Sequence, residues 1–362
     1  MKILTVVGAR PQFIKAAAVS RELRKAHAEV LVHTGQHYDF LMSEVFFREL
    51  DVPAPDYNLE VGSASHAIQS AQMMIRIEEV VTKEKPDRML VYGDTNSTLA
   101  GALVGSKLQI PVAHVEAGLR SFNKSMPEEI NRILTDHVCD LLFTPTDTAS
   151  RNLAREGITE GVYQVGDVMY DALLHNIVIA EKRSSILDRL KLQPRDYVLA
   201  TIHRAANTDG RVRLEAIMNA IARVGIAAIL LLHPRTRDRL KEFGLEGMMH
   251  SSGNVRIMDP VGYFDMLVLE KNARVILTDS GGVQKEAYMF KVVCITVREE
   301  TEWVETVEAG WNILAGNSLD LIPELIQKTR TEPQSHPDFY GDGTAAKRIA
   351  QTLELRRDGI TK

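Results

Sequence analysis

Three carboxylate residues in the first part of the chain stand out because of what precedes them. Asp94 follows the apolar run Arg88–Gly93, and Glu116 follows the run Pro111–Val115 and precedes Ala117-Gly118. Glu128 comes shortly afterwards, where a segment with helical spacing begins. A charged group at the mouth of a buried strand is costly unless a reaction or a ligand requires it. These residues are therefore candidates for a catalytic site.

Two of these carboxylates also have a purely structural interpretation. Asp94 is placed to cap the helix that runs through Gly101. Glu128 fits a capping box in which Ser125 is the cap and Glu128 reaches back to it. The buried face of that helix would then consist of Ile130, Ile133, Leu134 and Val138. For Asp94 and Glu128 both interpretations stay open, whereas Glu116 is harder to explain structurally.

A second group of residues, in the C-terminal half, indicates nucleotide binding. The apolar run Arg274–Asp279 leads into Ser280, Gly281 and Gly282, and a helix follows. Glycine lets a backbone approach a phosphate closely, and a helix N-terminus offers unpaired N–H groups. Glu286, about one turn into the helix, is placed to accept hydrogen bonds from ribose hydroxyls. A plain turn would also use two glycines, but it would not need the serine and the glutamate.

Cations follow the first apolar run. Arg10 and Lys15 lie at a predicted helix start, which suits an anion, although a turn followed by a solvated lysine is the alternative. No Gly-x-Gly-x-x-Gly follows, so the dinucleotide fingerprint is missing.

Histidines follow three further runs. His203 and His233 each end a run beside an arginine or proline, and each faces either phosphate or solvent. Gln36 and His37 follow the second run and, taken alone, indicate only a turn.

The elements that must position these residues are short apolar runs alternating with helical segments. Near-continuous hydrophobic strands in this alternation indicate a parallel sheet covered on both faces. The predicted strands of the first half are Ile3–Gly8, Glu29–Gly35, Arg88–Gly93, Pro111–Val115, Asp140–Thr144 and Val162–Gly166. Those of the second half are Tyr197–Ile202, Ala227–His233, Val255–Met258, Arg274–Asp279, Val292–Val297 and Asn312–Leu314.

The two halves predict two doubly wound α/β domains. We expect an N-terminal Rossmann-like domain over residues 1–166 and a C-terminal one over 167–345. A terminal helix over 346–362 is expected to pack back on one of them, and Met169–Leu190 is expected to be helical. Two such sheets in tandem create a cleft between their carboxyl edges, where these folds bind ligands.

Composition excludes several classes of protein. The 362 residues are 45% hydrophobic and carry a formal net charge of −5, so the chain has no basic footprint for nucleic acid. Two lone cysteines indicate a reducing compartment, and no spacing typical of a metal site occurs. No apolar run is long enough for a signal peptide or a membrane span, so we expect a cytoplasmic protein.

Taken together, these residues resemble the non-hydrolysing UDP-N-acetylglucosamine 2-epimerases over essentially the whole chain. The motifs that carry the resemblance are Gly8-Ala9-Arg10-Pro11, Thr34-Gly35-Gln36-His37, Gly93-Asp94-Thr95, His114 to Arg120, Pro127 to Arg132, His203-Arg204, His233-Pro234-Arg235 and Asp279 to Gly282. The resemblance implies a GT-B-like architecture and a homodimer. It also implies elimination of UDP to a 2-acetamidoglucal followed by re-addition, without a nicotinamide cofactor.

The resemblance assigns a role to each candidate. Asp94, Glu116 and Glu128 would remove and return the C2 proton, with base and acid unassigned. Arg10, Lys15 and His203 would neutralise the departing diphosphate, and Ser280, Gly281 and Gly282 would hold it. His233 is a further matched position on the substrate side. Glu286 would bind the ribose, and the turn containing Met266 would face uracil. Gln36 and His37 match positions that bind an activating second UDP-sugar in bacterial members.

Two departures from the family pattern leave the substrate open. Ala206 stands where the family commonly has glutamate, and Trp303 stands where some members have a phosphate-facing arginine. Trp303 resembles relatives that act on UDP-2,3-diacetamido-2,3-dideoxyglucuronate, with Lys124, Arg204 or Arg298 as partners of a sugar carboxylate. The same residues are also compatible with a hydrolysing epimerase, a GT-B glycosyltransferase or a catalytically weak sugar-nucleotide-binding module.

Overall fold

The structure is a computed structural model that describes residues 1–36, 54–247, 253–329, 333 and 335–355, except for the side chain of Arg10. The chain forms two compact units. Unit 1 contains Met1–His175 together with Asp338–Lys362, and unit 2 contains Asn176–Pro337. The C-terminal segment therefore belongs to the same unit as the N-terminus.

Unit 1 is built on a parallel sheet with the strand order β3-β2-β1-β4-β5-β6-β7. Its strands are β1 Lys2–Val7, β2 Ala28–His33, β3 Tyr57–Asn58, β4 Arg88–Tyr92, β5 Val112–Val115, β6 Leu141–Thr144 and β7 Val162–Gln164. The central strands β4, β5 and β6 are buried along their whole length. Helices on both faces bury these strands, which explains why they read as continuous apolar runs.

The helices of unit 1 follow its strands. They are α1 Arg10–Leu23, α2 His66–Glu84, α3 Asn96–Lys107, α4 Pro127–Val138, α5 Asp147–Arg155, α6 Val168–Arg183 (whose C-terminal half lies in unit 2) and the terminal α15 Ala345–Leu355. Helix α15 packs against α1. Asp171 of α6 accepts hydrogen bonds from the backbone N–H groups of Ala345 and Ala346 at 3.1 and 2.8 Å, which caps α15.

Unit 2 has a second parallel sheet with the order β10-β9-β8-β11-β12-β13. Its strands are β8 Tyr197–Ile202, β9 Ala227–Leu232, β10 Val255–Met258, β11 Val275–Thr278, β12 Val293–Thr296 and β13 Asn312–Leu314. Its helices are α7 Ile186–Leu190, α8 Ala205–Thr208, α9 Arg211–Ala222, α10 Pro234–Glu242, α11 Tyr263–Asn272, α12 Gly281–Met289, α13 Val304–Glu308 and α14 Ile322–Lys328, the last preceded by a 3-10 turn Leu319–Leu321. Aliphatic residues from β8, β9, α9 and α14 form one continuous core.

These two sheets confirm the predicted fold class, a GT-B-like chain with two Rossmann-like parallel-sheet units. The predicted strands agree with the observed ones to within one or two residues. The short edge strand β3 was not predicted, because two residues carry no periodicity. The predicted helix Met169–Leu190 is instead two helices, α6 and α7, separated at Ser184 and Ser185. No helix among the described residues is long and apolar enough to span a bilayer.

Candidate active site

Unit 1 places charged residues at the carboxyl edge of three neighbouring strands. Lys15 lies on α1 after β1, Asp94 follows β4, and Glu116 follows β5. The ammonium group of Lys15 forms an ion pair with Glu116 Oε2, although the two residues are 101 positions apart. Lys15 is 7% exposed and Glu116 is 8% exposed, so the pair is largely withdrawn from solvent. The sheet topology therefore brings together three of the predicted site residues.

Gly93 makes room for this ion pair. A Cβ atom at Gly93 would lie 3.3 Å from both Glu116 Oε2 and Lys15 Nζ, and the residue has a φ of +62°. A side chain at this position would crowd both charged groups and would strain the backbone. Glu116 itself adopts a φ of +71°, a left-handed conformation that is uncommon for a residue with a side chain and occurs often at functional sites.

Asp94 is held by a residue that sequence reasoning did not select. Arg132 Nη2 of α4 lies 2.9 Å from Asp94 Oδ2, and Asn131 Nδ2 donates to the Asp94 carbonyl oxygen at 3.0 Å. Burial raises the pKa of the Asp94 carboxyl, the cations Arg132 and Lys15 oppose that rise, and the anions Glu116 and Glu128 add to it. The net pKa is above the ordinary value, so the Asp94 carboxyl takes up a proton more readily than an ordinary aspartate.

The alternative in which Asp94 caps a helix is wrong. The N-cap of α3 is Thr95, whose hydroxyl accepts a hydrogen bond from the Thr98 N–H at 3.3 Å. Thr98 Oγ1 in turn accepts a hydrogen bond from the Thr95 N–H at 3.1 Å. Because this reciprocal pair satisfies the helix start, the Asp94 carboxylate is left for its ion pair with Arg132.

The capping box proposed for Glu128 is also wrong. The N-cap of α4 is Met126 and makes no side-chain cap bond, while Ser125 Oγ donates to Asn123 Oδ1 at 2.7 Å. Glu128 is exposed, and its carboxylate makes no hydrogen bond within the described part of the chain. The neighbouring Glu129 has the structural role, since it accepts hydrogen bonds from the N–H groups of Ser121 and Phe122 at 2.9 and 2.8 Å.

Helix α4 does not bury the apolar face that was predicted. Ile130 and Leu134 are 45% and 46% exposed, whereas the buried residues are Glu129, Asn131, Arg132, Thr135 and Asp136. The buried face is polar because it supports the Asp94 and Glu116 turns. The signal in the sequence was the helical spacing of residues 129, 132 and 136, all charged.

The other predicted residues of unit 1 lie around the same sheet edge. Gln36 Oε1 accepts hydrogen bonds from Ser97 N and Oγ at 3.1 and 2.7 Å, at the start of α3. Gln12 Oε1 accepts the N–H groups of Gly8 and Ala9 at 2.7 and 3.0 Å, so these two amides are not free for an anion. Arg10 begins α1, but its side chain lies outside what the structure describes, as does all of His37.

Unit 2 gathers its predicted residues at the carboxyl edge of β8, β9 and β11. Asp279 is fully buried and accepts hydrogen bonds from the backbone N–H groups of His203 and Arg204, at 3.1 and 2.9 Å, and from Asn207 Nδ2 at 2.9 Å. His203 Nδ1 lies 3.2 Å from Asp279 Oδ1, and the His203 side chain is 38% exposed. Asp279 thus orients an accessible imidazole.

His233 lies beside that imidazole, with the two ring centroids 5.5 Å apart. Its Nδ1 accepts a hydrogen bond from the Arg235 N–H at 3.2 Å and caps α10. Burial, together with the charges of His203 and Arg235, lowers the pKa of His233. A neutral His233 is consistent with its acceptor role as a cap.

The turn before α12 contains two glycines, Gly281 and Gly282, at which a Cβ atom would fit without a clash. The N-cap Ser280 makes no side-chain cap bond. A Cβ at Gly282 would meet only Ser280 Oγ, at 3.9 Å, and one at Gly281 would lie 3.6 Å from Trp303 Nε1. Neither glycine has a positive φ. Neither backbone conformation nor packing requires glycine here, so close approach of a ligand is the remaining physical reason.

Trp303 and its neighbours line the side of that turn. The ammonium group of Lys285 lies 4.3 Å from the Trp303 ring centroid, and Arg298 donates to both oxygens of Glu302 at 3.0 and 3.1 Å. Burial raises the pKa of Glu302, but the hydrogen bonds and charge of Arg298 bring it below the ordinary value. Glu286 is 8% exposed on α12, and Met266 is half-buried in the first turn of α11. No group of three metal-ligating side chains occurs among residues that the structure describes.

Comparison with known proteins identifies consistent relatives. A family model described as UDP-N-acetylglucosamine 2-epimerase matches residues 21–354. A UDP-N-acetylglucosamine 2-epimerase homolog of Methanococcus maripaludis is 54% identical over 98% of this chain and 99% of the relative. A UDP-2,3-diacetamido-2,3-dideoxy-D-glucuronate 2-epimerase of Pseudomonas aeruginosa is 48% identical over 98% of this chain and 99% of the relative.

Solved structures agree with these sequence matches. The crystal structure of Methanocaldococcus jannaschii UDP-GlcNAc 2-epimerase in complex with UDP-GlcNAc and UDP has a TM-score of 0.91 and 46% sequence identity. That comparison covers 98% of this chain and 100% of the other.

Proposed function

The chain belongs to the UDP-N-acetylglucosamine 2-epimerase family, and from that premise we propose that it inverts C2 of a UDP-HexNAc, converting UDP-GlcNAc to UDP-ManNAc. The observation that carries the proposal is the group of carboxylates and cations at one sheet edge of unit 1. There Lys15 pairs with Glu116, and Arg132 pairs with Asp94. Such a cluster supplies groups that take and return a proton.

The proposed reaction proceeds by elimination and re-addition. A carboxylate removes the C2 proton, the C1–O bond to UDP breaks, and the electron pair of the C2–H bond forms the C1–C2 double bond of a 2-acetamidoglucal. A proton then returns to the opposite face of C2 while the UDP oxygen re-forms the bond to C1. Base and acid come from Asp94, Glu116 and Glu128. The raised pKa of Asp94 supports a proton-exchanging role for it. No nicotinamide or metal cofactor enters these steps.

Residues of unit 2 are proposed to hold the leaving diphosphate. Ser280, Gly281 and Gly282 would hold it at the start of α12, since open glycines and a helix N-terminus suit a phosphate. His203, oriented by Asp279, would face the charge that grows on UDP as the C1–O bond breaks. Arg10 and Lys15 would add positive charge, and His233 would support His203. Glu286 would bind the ribose and Met266 the uracil.

This proposal also assigns a role to each predicted domain. The catalytic carboxylates belong to the domain predicted over residues 1–166, and the UDP-binding residues to the domain predicted over 167–345. The helix predicted over 346–362 overlaps α15 of unit 1. Gln36 and His37 are proposed to contribute to a site for an activating UDP-sugar. Activation by a second UDP-sugar would make the rate of the wild type depend sigmoidally on the UDP-sugar concentration. A change to a hyperbolic dependence in a Gln36→Ala variant would support this role.

Solvent isotope incorporation tests the reaction. Incubation of UDP-GlcNAc with the protein in deuterated water should place deuterium at C2 of both epimers, seen by proton NMR as loss of both C2–H signals. Epimerisation with the C2–H signals retained would refute proton exchange. Free ManNAc as the main product would indicate the hydrolysing reaction instead. If no UDP-sugar turns over although UDP binds, the protein is a sugar-nucleotide-binding module.

The residues beside the turn of Ser280, Gly281 and Gly282 favour a second substrate. Trp303 Nε1 approaches Gly281, and Lys285, Arg298 and Glu302 lie beside it. A relative at 48% identity is named for UDP-2,3-diacetamido-2,3-dideoxy-D-glucuronate. We therefore propose this uronate as the alternative substrate. Assays of both UDP-sugars side by side distinguish them: a kcat/KM at least ten times higher for one identifies it as the substrate.

We further propose that the chain is a cytoplasmic homodimer that supplies precursors for surface polysaccharides. Helices α2, α3 and α4 are neighbours in unit 1, and α2 and α4 expose Ile68, Ile75, Ile130 and Leu134 by 45–60%. Aliphatic side chains exposed on one layer suit contact with a second copy. Light scattering should give twice the chain mass for the wild type and the chain mass for an Ile130→Glu/Leu134→Glu variant. A monomeric wild type would refute the dimer.

A further inference from the structure

A fully buried histidine lies directly behind the proposed catalytic carboxylates. His114, in the middle of β5, is 0% exposed. Its Nδ1 lies 2.7 Å from Asp136 Oδ1 on α4, and its Nε2 lies 2.7 Å from the carbonyl oxygen of Gly93 at the end of β4. Both ring nitrogens are thus engaged by protein oxygens at hydrogen-bonding distance.

Counting hydrogens restricts the charge state of this ring. A carbonyl oxygen only accepts, so His114 Nε2 must carry a hydrogen to bond Gly93. A carboxylate also only accepts, so Nδ1 must carry one to bond an ionised Asp136. A neutral imidazole has a single N–H. Both contacts are therefore hydrogen bonds only if the ring is an imidazolium or if Asp136 is protonated.

The surroundings of Asp136 favour its ionised form. Asp136 Oδ2 accepts hydrogen bonds from the Gly118 N–H at 3.1 Å and from Arg120 Nη1 at 2.7 Å. Burial raises the pKa of Asp136, but the hydrogen bonds and charges of His114 and Arg120 outweigh burial and lower it overall. Arg120 also makes a two-pronged contact with Glu156, with both distances 2.7 Å. With an imidazolium the group has two cations and two anions, whereas a neutral ring would leave an uncompensated negative charge.

The pair fixes the two turns that carry the carboxylates. His114 holds the carbonyl of Gly93, the residue immediately before Asp94, and Asp136 holds the N–H of Gly118, two residues after Glu116. Gly93 and Gly118 have φ values of +62° and +80°, so both turns adopt left-handed backbone. An added Cβ at Gly118 would lie 2.4 Å from the Ala149 carbonyl oxygen, so that turn is also tightly packed.

We propose that His114 is a fixed imidazolium, paired with Asp136, that positions Asp94 and Glu116 for proton transfer. His114 does not touch the sugar and is a positioning residue. The inference rests on the proposed function in assigning C2 chemistry to those two carboxylates. Its charge state, however, is a property of the protein alone.

Nitrogen-15 NMR of the wild-type protein with labelled histidine tests the charge state. His114 should give two ring N–H signals that are protected from solvent exchange. The signals are assigned by their loss in a His114→Phe variant and their retention in a His137→Gln variant. His137 is the matched control because it adjoins Asp136 in sequence and its side chain is 45% exposed. A single N–H signal from His114 would overturn the proposal.

Kinetics test the positioning role. His114→Phe keeps a ring but removes both donors, and we expect kcat to fall about 100-fold, the scale of an ångström-sized misplacement of catalytic groups. KM for the UDP-sugar should change less than about threefold, because the diphosphate residues of unit 2 are untouched. An unchanged kcat would overturn the positioning role.

The two measurements separate this inference from the proposed function. If the variant does not fold, the ring signals of His114 are assigned in the wild type by through-bond correlation to the His114 backbone, and the wild-type spectrum still decides the charge state. If the wild type shows two N–H signals but epimerises no UDP-sugar, the proposed function fails and the charge assignment stands. If an active wild type shows one N–H signal, only the charge assignment of His114 fails.

Discussion

Glu128 and Glu129 provide a matched test of which carboxylate of α4 takes part in catalysis. The two residues are adjacent in sequence, yet they have opposite environments. Glu128 is exposed, whereas Glu129 is fully buried and accepts three hydrogen bonds. Glutamine is nearly the same size as glutamate but cannot ionise. We expect Glu128→Gln to lose activity without losing stability, and Glu129→Gln to lose stability first.

The size of each effect follows from the contacts. Glu129 accepts from Ser121 N, Ser121 Oγ and Phe122 N at 2.9, 3.1 and 2.8 Å, and Arg132 Nε lies 3.4 Å from it. A glutamine at 129 has one acceptor oxygen, so its amide would face a buried N–H donor, at a cost of about 2–3 kcal/mol. At position 128 no described hydrogen bond is lost, and the expected change in the free energy of unfolding is within about 0.5 kcal/mol. Loss of a general acid or base lowers kcat by about 10²–10⁴-fold.

Thermal unfolding and steady-state kinetics of the two variants provide the assay. Glu129→Gln should lower the apparent Tm by about 5 °C or more, on the scale of 2–4 °C per kcal/mol for a unit of this size. Glu128→Gln should leave Tm unchanged while kcat falls and UDP affinity is retained. If Glu128→Gln keeps its kcat, Glu128 is not a proton-transfer residue and only Asp94 and Glu116 remain. A Tm loss equal to that of Glu129→Gln would show that Glu128 is structural.

Three further predictions concern other parts of the chain. Gly282→Ala should leave Tm unchanged, because its Cβ meets only Ser280 Oγ at 3.9 Å, but should weaken UDP binding about tenfold by calorimetry if a phosphate approaches there. Gly93→Ala should lower kcat at least tenfold and Tm by several degrees, because its Cβ would crowd Lys15 and Glu116 at 3.3 Å. Burial raises the pKa of Asp171 to about 6, above its unfolded value of about 3.9. The protonated carboxyl of Asp171 therefore stabilises the fold below pH 4, and this contribution is lost as the pH rises to 6. Between pH 4 and 6, the free energy of unfolding of the wild type, measured by urea titration, should therefore fall by about 1–2 kcal/mol relative to that of Asp171→Asn. The same dependence of the free energy of unfolding on pH in both proteins would contradict this.

The strand ends were predicted well because a buried strand is recognisable in the sequence as an apolar run. Strands covered on both faces are mainly apolar, so a carboxylate directly after such a run marks the end of the strand, as Asp94 does after β4 and Glu116 after β5. The buried His114 inside β5 is an exception to this pattern. The partners of those residues could not be read in the same way. Lys15 and Glu116 are separated by 101 positions, and only the order of strands β1, β4 and β5 brings them together.

Helix α4 shows where pattern reasoning failed and why. Amphipathic logic assigns apolar residues to the interior, which would bury Ile130 and Leu134. The structure exposes both and buries Arg132 and Asp136, because those side chains find charged partners in the strand-end turns. A buried charged face is tolerated only when such partners exist. The sequence of one helix contains no information about partners on other elements.

The two units each pair a histidine with an aspartate, and comparison of the pairs separates support from chemistry. In unit 1, His114 and Asp136 are both fully buried, and both nitrogens of the ring bond to protein oxygens. In unit 2, Asp279 is buried, but the His203 side chain is 38% exposed, and its Nε2 makes no hydrogen bond to any described residue. A ring with one nitrogen oriented by a carboxylate and the other accessible can donate to a ligand or take up a proton, whereas a ring with both nitrogens engaged cannot. We therefore expect His203→Gln to weaken UDP binding as well as kcat, since His203 would contact the diphosphate, while His114→Phe lowers kcat alone. Equal effects of the two substitutions on UDP affinity by calorimetry would contradict this division of roles.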